Sequence, residues 1–286
     1  MLTRVSAVQL PFAYFNSPQE FADHVRTPIE QAAQHGAQLI LLPHRTSYML
    51  FGMFDFDVPA NYSLDQLAQR QNISTRAWLN ERADYVFEFY AHLFQSLASR
   101  VETWLAPGTV LESENDALYL TAFLINPAGE IVGRQRQMRV GAPESEWGVS
   151  AGDTLRVFET DIGDFGFVIG ADANDPEIAR ALAAQGAQVV LHPTATLVET
   201  FRGNVSDPYQ AATFPRNVST FIAQANLVGE NFRGRSAIYA PVEMTEDKRG
   251  ILAQAKNDAA GEIIFANLDL ARLQEIRAAD AEIARN

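Results

Sequence analysis

The sequence predicts an α/β fold with a mixed sheet, and three observations predict it. Helical and apolar strand-like segments alternate along the chain. One phrase, a helix followed by Gly-Ala-Gln, a short apolar run and Pro, occurs twice. Two hairpin-like passages interrupt that alternation, which places antiparallel strands beside parallel ones. All 286 residues read as one domain, residues 1–286, because no Pro/Gly/Ser-rich linker or block of charge divides them. With 47% hydrophobic and 20% charged residues the chain has the apolar material for a large core, which excludes a disordered protein.

Each element has a local reason. Residues 5–10 alternate as a first strand before Pro11. Pro18–Gln34 has helical character and stops at His35-Gly36, where glycine provides a C-cap. The following GAQLILLP is a continuous apolar run, as expected of a strand covered on both faces. Its second copy is PEIARALAAQGAQVVLHP, with Gly36 matching Gly186 and Pro43 matching Pro193. Residues 76–100 form the clearest helix. Leu79, Ala83, Val86, Tyr90, Leu93 and Leu97 recur at steps of three and four, an apolar stripe suited to core packing. A turn at Asn126-Pro127-Ala128-Gly129 joins two strands, and residues 257–261 are expected to close a second hairpin. A helix over residues 270–285 ends the chain.

Charge and composition exclude several functions. Against 35 Asp and Glu stand 22 Lys and Arg, a net charge of −13. Such a chain repels phosphate backbones and anionic lipid, so no nucleic acid and no membrane is expected as partner. No apolar run approaches 18 residues. The start, MLTRVSAVQLPF, reads as a strand rather than a signal peptide, which predicts a cytoplasmic protein. There is no cysteine, so disulfides, thiolate metal sites and thiol nucleophiles are excluded. The turn Gly163-Asp164-Phe165-Gly166 lacks the spacing of a phosphate loop. Asn72, Asn204 and Asn217 match Asn-x-Ser sequons, which carry no meaning without a secretory signal.

The phrases SAVQL, GAQLILLP, LINPAGEIVGRQRQ, GVSAGDTLRVFET, DFGFVIGADANDPEIARALAAQGAQVVLHP, GRSAIYAP and GEIIFANLDLARLQEIR resemble, in order and over nearly the whole chain, the nitrilase or carbon–nitrogen hydrolase superfamily. The resemblance implies a nitrilase-type α-β-β-α sandwich with two mixed sheets. It also implies a homodimer paired through residues 176–185 and the region after Pro208. The stretch between Pro43 and Gly108 is longer than in compact members. In that family a Cys attacks a nitrile or amide carbon, a Glu moves protons and a Lys stabilises the developing anion. The matching positions here hold His44 after Leu42-Pro43, Gln137 in Gln135-Arg136-Gln137, and Gly170 in Ile169-Gly170-Ala171-Asp172. None of the three reactive groups is present.

Other polar residues can line the same cleft. His44 and His192 at strand ends, with Asp172 and Glu144 or Glu146, would suit an acid–base or metal site. His192 equally fits a hydrogen-bonded core histidine, and Asp172 a brace for its turn. Glu144 or Glu146 matches a further functional Glu of the family. Tyr48, Ala171 and Thr194 are pocket-lining candidates, and Thr194 and Thr196 are weak candidates for a hydroxyl nucleophile. The expectation is a pseudoenzyme without cofactor that binds a small molecule or a partner. A C–N hydrolase with a rebuilt His/Glu/Asp site and a structural or regulatory subunit are the alternatives. The sharpest expectation is geometric: His44, Gln137 and Gly170 should meet in one cleft.

Overall fold

The computed structural model describes residues 2–55, 57–198 and 219–283. Fourteen strands among them form two mixed halves packed face to face. In the first half β1 (Leu2–Pro11), β2 (Leu39–Leu41) and β3 (Trp104–Ala106) run parallel. The antiparallel β4 (Thr109–Glu114), β5 (Ala117–Ile125) and β6 (Ile131–Arg136) extend it, with the short β7 (Val149–Ser150) beside β5. In the second half β8 (Val157–Thr160) lies antiparallel to β9 (Gly163–Phe167), which runs parallel to β10 (Val189–Thr194) and β11 (Phe221–Val228). β12 (Ala237–Tyr239) and β13 (Ile251–Gln254) complete it. The halves touch at one seam, where Leu10 and Pro11 of β1 pair with Leu227 and Val228 of β11.

The four layers follow from strand alternation. Val5, Ala7, Leu39 and Leu41 on one half face Phe165, Phe167, Val189, Leu191 and Ala223 on the other, and form the core between the sheets. The opposite face of the first half carries α1 (Pro18–Gln34) and α3 (Thr75–Val101), preceded by the short α2 (Leu64–Arg70). The opposite face of the second half carries α4 (Pro176–Ala184). A last helix, α5 (Leu270–Ile283), follows β14 (Glu262–Asp269). Its expected end and the sequons at Asn204 and Asn217 lie outside the described residues, as does the start of the expected dimer region after Pro208, through residue 218. No described helix is long and apolar enough to cross a membrane.

The repeated phrase has a structural cause. Gly36 and Gly186 both adopt a left-handed φ, +81° and +102°, which ends α1 and α4 at little steric cost. Gln38 then donates its N–H to the Arg4 carbonyl, while its side-chain oxygen accepts the Arg4 N–H. Gln188 does the same with Asp164. Each Gln thus fastens a new strand to its parallel neighbour, β2 to β1 and β10 to β9.

Two expectations change. The turn at residues 257–261 closes no hairpin: β13 pairs with β12 in the second half, whereas β14 pairs with β1 over eight residues in the first. The Gln9 side chain holds this crossover by donating to the Asn257 and Ala260 carbonyls. On α3 the stripe holds except at Leu93, which is only partly buried while its neighbour Phe94 is fully buried.

Candidate active site

The C-terminal ends of β2, β9 and β10 converge, and the residues that leave them build the site. After β2, Leu42 donates to the Ala106 carbonyl and Pro43 accepts the Thr46 hydroxyl, which opens a 3-10 helix over Thr46–Phe54. Gly108 passes so close to Pro43 that a Cβ there would lie 1.8 Å from the Pro43 oxygen, so only glycine fits. That approach delivers Thr109 to the β2 end, where its hydroxyl oxygen bonds His44 Nδ1 at 2.9 Å and accepts the Arg45 N–H at 2.9 Å.

The structure brings His44, Gln137 and Gly170 together. A Cβ built on Gly170 would stand 3.0 Å from His44 Cδ2, 3.1 Å from His44 Nε2 and 3.3 Å from Gln137 Nε2. Gln137 follows β6 and donates its amide to the Ile169 carbonyl at 3.1 Å. Gly170 itself sits at φ +49° where β9 hands over to a 3-10 turn, Gly170–Asn174. Burial holds the His44 pKa well below the ordinary imidazole range, and the charges of Arg45 and His192 push it the same way. The ring is therefore neutral near pH 7.

His192 shares this space. Burial lowers its pKa to about 4, opposed by a backbone interaction with Gly170, and its Nε2 is shielded from solvent without a hydrogen-bond partner. Thr194 is buried on β10 beside Asn226 of β11. Ala171 is half-buried, with its methyl 3.6 Å from where a Cβ on Gly141 would lie.

Asp172 is a brace. Its Oδ1 accepts the Met138 and Arg139 N–H groups at 2.9 and 2.6 Å, and its Oδ2 accepts the Ile169 N–H at 3.1 Å. These bonds tie the Gly170 turn to the exit of β6. Burial nevertheless lifts the Asp172 pKa to about 6.

Of the two glutamates, only Glu144 reaches the interior. Residues 141–148 turn tightly, with Ser145 donating to the Gly141 carbonyl and Glu146 and Trp147 to Pro143. That spacing sends Glu144 and Trp147 inward and leaves Glu146 exposed, so Glu146 is removed from the site. Glu144 accepts from Arg45 Nη2 at 2.7 Å, lies 2.6 Å from Arg45 Nε, and accepts the Tyr48 hydroxyl at 3.0 Å. Arg45 was not apparent from the sequence. Its left-handed backbone, φ +61°, turns the guanidinium toward Glu144, and its position next to His44 was the one available signal. Thr109 was missed as well. Among the described residues no group of three or more His, Cys, Asp or Glu side chains is placed to hold a metal ion.

Glu144 and Asp172 are therefore committed to an ion pair and to backbone donors, which leaves neither free as a proton shuttle. The accessible chemistry is that of neutral groups: two imidazoles, one carboxamide and a glycine.

Similarity to known proteins extends across the chain. It is 26% identical to the probable hydrolase YhcX of Bacillus subtilis over 285 residues, covering 96% of this chain and 51% of that protein. It is 27% identical to a nitrilase of Pyrococcus abyssi over 250 residues, covering 85% and 80%. The chain spans about half the length of several curated relatives it matches. Saccharomyces cerevisiae Nit3, a member of branch 10 of the nitrilase superfamily, superposes with a TM-score of 0.73 at 23% identity, covering 97% of this chain and 94% of Nit3. An amidase from Nesterenkonia superposes with a TM-score of 0.72 at 22% identity, covering 99% and 95%. These superpositions establish the shared mixed α/β sandwich. The carbon–nitrogen hydrolase profile matches residues 4–278, and with that coverage the chain belongs to the carbon–nitrogen hydrolase family.

Proposed function

We propose that this chain is a carbon–nitrogen hydrolase family member that has lost thiol-based amide and nitrile hydrolysis and acts by binding a small molecule or a partner. The observation that carries this reading is the His44 ring, 3.0 Å from where a nucleophile's Cβ would stand on Gly170. Mutants of the Nesterenkonia amidase carry acrylamide, or the acetamide moiety of fluoroacetamide, covalently on the active-site cysteine; this chain has no cysteine at any of its 286 positions. Gln137 carries no charge to stabilise an oxyanion, and neutral His44 offers no carboxylate. The same reading places His44, Gln137 and Gly170 at the family's Glu, Lys and Cys positions, and pairs two cytoplasmic copies through α4.

The test is intact-protein mass spectrometry during incubation with acetamide or propionitrile, alongside an ammonia assay. No mass gain and no ammonia are expected. A gain that reverses on hydrolysis would sink the proposal.

A further inference from the structure

His44 and Gln137 are each only 3% exposed and Glu144 only 2%, so nothing reaches them from solvent unless a covering segment moves. The turn at residues 141–148 is such a segment. At one end Gly141 abuts the Gly170 turn, where a Cβ on it would lie 3.6 Å from the Ala171 methyl. At the other end Trp147 reaches α2 and donates its indole Nε1–H to Asp65 Oδ1 at 2.7 Å. Between them Glu144 points inward to Arg45 and Tyr48, while Ala142, Ser145 and Glu146 face solvent. The turn therefore lies across the segment that carries His44.

Its feet are fixed by the main chain and its middle is not. Met138 and Arg139 donate to Asp172, Gly152 donates to the Gln137 carbonyl at 2.7 Å, and Val149 pairs with Leu118 of β5. These contacts bring the two feet together and make the intervening residues a closed loop. The main-chain bonds of Ser145 to Gly141, of Glu146 and Trp147 to Pro143, and of Gly148 to Ser145 all stay inside that loop. Side chains fasten it to the rest of the protein, Glu144 through Arg45 and Tyr48, and Trp147 through Asp65.

The two fastenings differ in strength. Glu144 is held by two guanidinium nitrogens and a hydroxyl, all buried. Trp147 is held by one carboxylate oxygen, which also accepts the Thr75 hydroxyl at 2.6 Å where α3 begins. The Trp147 ring packs on Tyr48 with centroids 6.2 Å apart, so moving the indole frees the phenol that holds Glu144.

We propose that residues 141–148 are a lid over the His44, Gln137 and Gly170 cleft, latched to α2 by the Asp65–Trp147 hydrogen bond. Releasing that bond lets the turn swing about its fixed feet, draws Trp147 and Glu144 away from Tyr48 and Arg45, and opens a path to His44 Nε2. The inference goes beyond the loss of thiol-based hydrolysis and does not depend on it, because a lid governs entry to the cleft whatever the cleft then does.

Two readouts on the full chain test it. Hydrogen exchange of the amides from Ser145 to Val149 reports opening of the turn. Carbethoxylation by diethyl pyrocarbonate, which attacks neutral imidazole, reports access to His44, with the exposed His35 and His92 as internal references. Trp147→Phe removes the donor and keeps the aromatic packing, and Asp65→Ala removes the acceptor. Each should speed exchange in the turn roughly tenfold or more, the worth of a hydrogen bond to a charged group, and speed His44 labelling by a similar factor. Amides of β10 and β11 should keep their wild-type rates. Thr75→Val, which removes the other bond to the same oxygen, should leave both readouts unchanged. Wild-type rates in both latch variants overturn the latch, and faster exchange without faster His44 labelling overturns the lid. A rise shared by β10 and β11, or a Thr75→Val protein that behaves like Trp147→Phe, would mean general loosening and overturn both.

Discussion

Gly170→Ala tests whether the site has closed around the absence of a side chain. At φ +49° a residue with a Cβ is held in the left-handed region, which costs about 1–2 kcal/mol. The new methyl also meets the His44 ring at 3.0–3.1 Å, closer than ordinary van der Waals contact. The ring is tethered by its 2.9 Å bond to Thr109, so moving it weakens a bond worth about 0.5–1.5 kcal/mol. Together the variant should lose about 2–3 kcal/mol, a fall of roughly 3–5 °C in Tm for a chain of this size. Chemical denaturation of wild type, Gly170→Ala, His44→Ala and the double variant separates the two contributions. In the His44→Ala background the glycine substitution should cost only its backbone share. The same cost in both backgrounds, or a cost below about 0.5 kcal/mol in either, would refute the placement of His44 over Gly170.

Asp172 gives a pH test. Its folded pKa, about 6, lies above the unfolded value near 3.9, so the native state binds the proton more tightly. Its contribution is full below about pH 4 and is lost as pH rises through 6, so wild-type stability relative to Asp172→Asn should fall by on the order of 2–3 kcal/mol over that window, read from urea melts. Arg45→Met leaves Glu144 buried without its partner and should cost about 3–5 kcal/mol; adding Glu144→Leu should restore part of it. A double variant no more stable than either single would contradict a buried pair. Phe94→Ala on α3 should cost about 3–5 kcal/mol, and Leu93→Ala less than about 2 kcal/mol, with equal midpoints refuting the assigned face.

Most of the architecture was legible because its signals are local. The α3 stripe follows the helical period, and the Gly-Ala-Gln phrase encodes both a helix stop and the stitching of the next strand. The 257–261 turn was misread because a loop's residues do not state which sheet receives the strand that follows. That choice is made by the eight-residue pairing of β14 with β1, more than 250 positions away in sequence. The convergence of His44, Gln137 and Gly170 was legible because each leaves a recognisable strand end. The Arg45–Glu144 pair spans 99 positions and depends on a left-handed backbone at Arg45 and on a tight turn that turns Glu144 inward and Glu146 outward. Neither feature has a signature in residue type alone.

On the proposed loss of the reactive groups, the same geometry explains why the backbone of the site would remain. The three Asp172 bonds hold the Gly170 turn against the exit of β6 through main-chain N–H groups, and Gln137 adds a bond to the Ile169 carbonyl. None of these bonds requires a thiol, an ammonium or a second carboxylate. On the reading that His44, Gln137 and Gly170 occupy the family's Glu, Lys and Cys positions, each replacement also removes a liability. Glycine relieves the left-handed φ at position 170, while neutral imidazole and carboxamide avoid desolvating charges in a buried site. A chain released from the need for a nucleophile would gain stability by each of these steps, with the fold left in place.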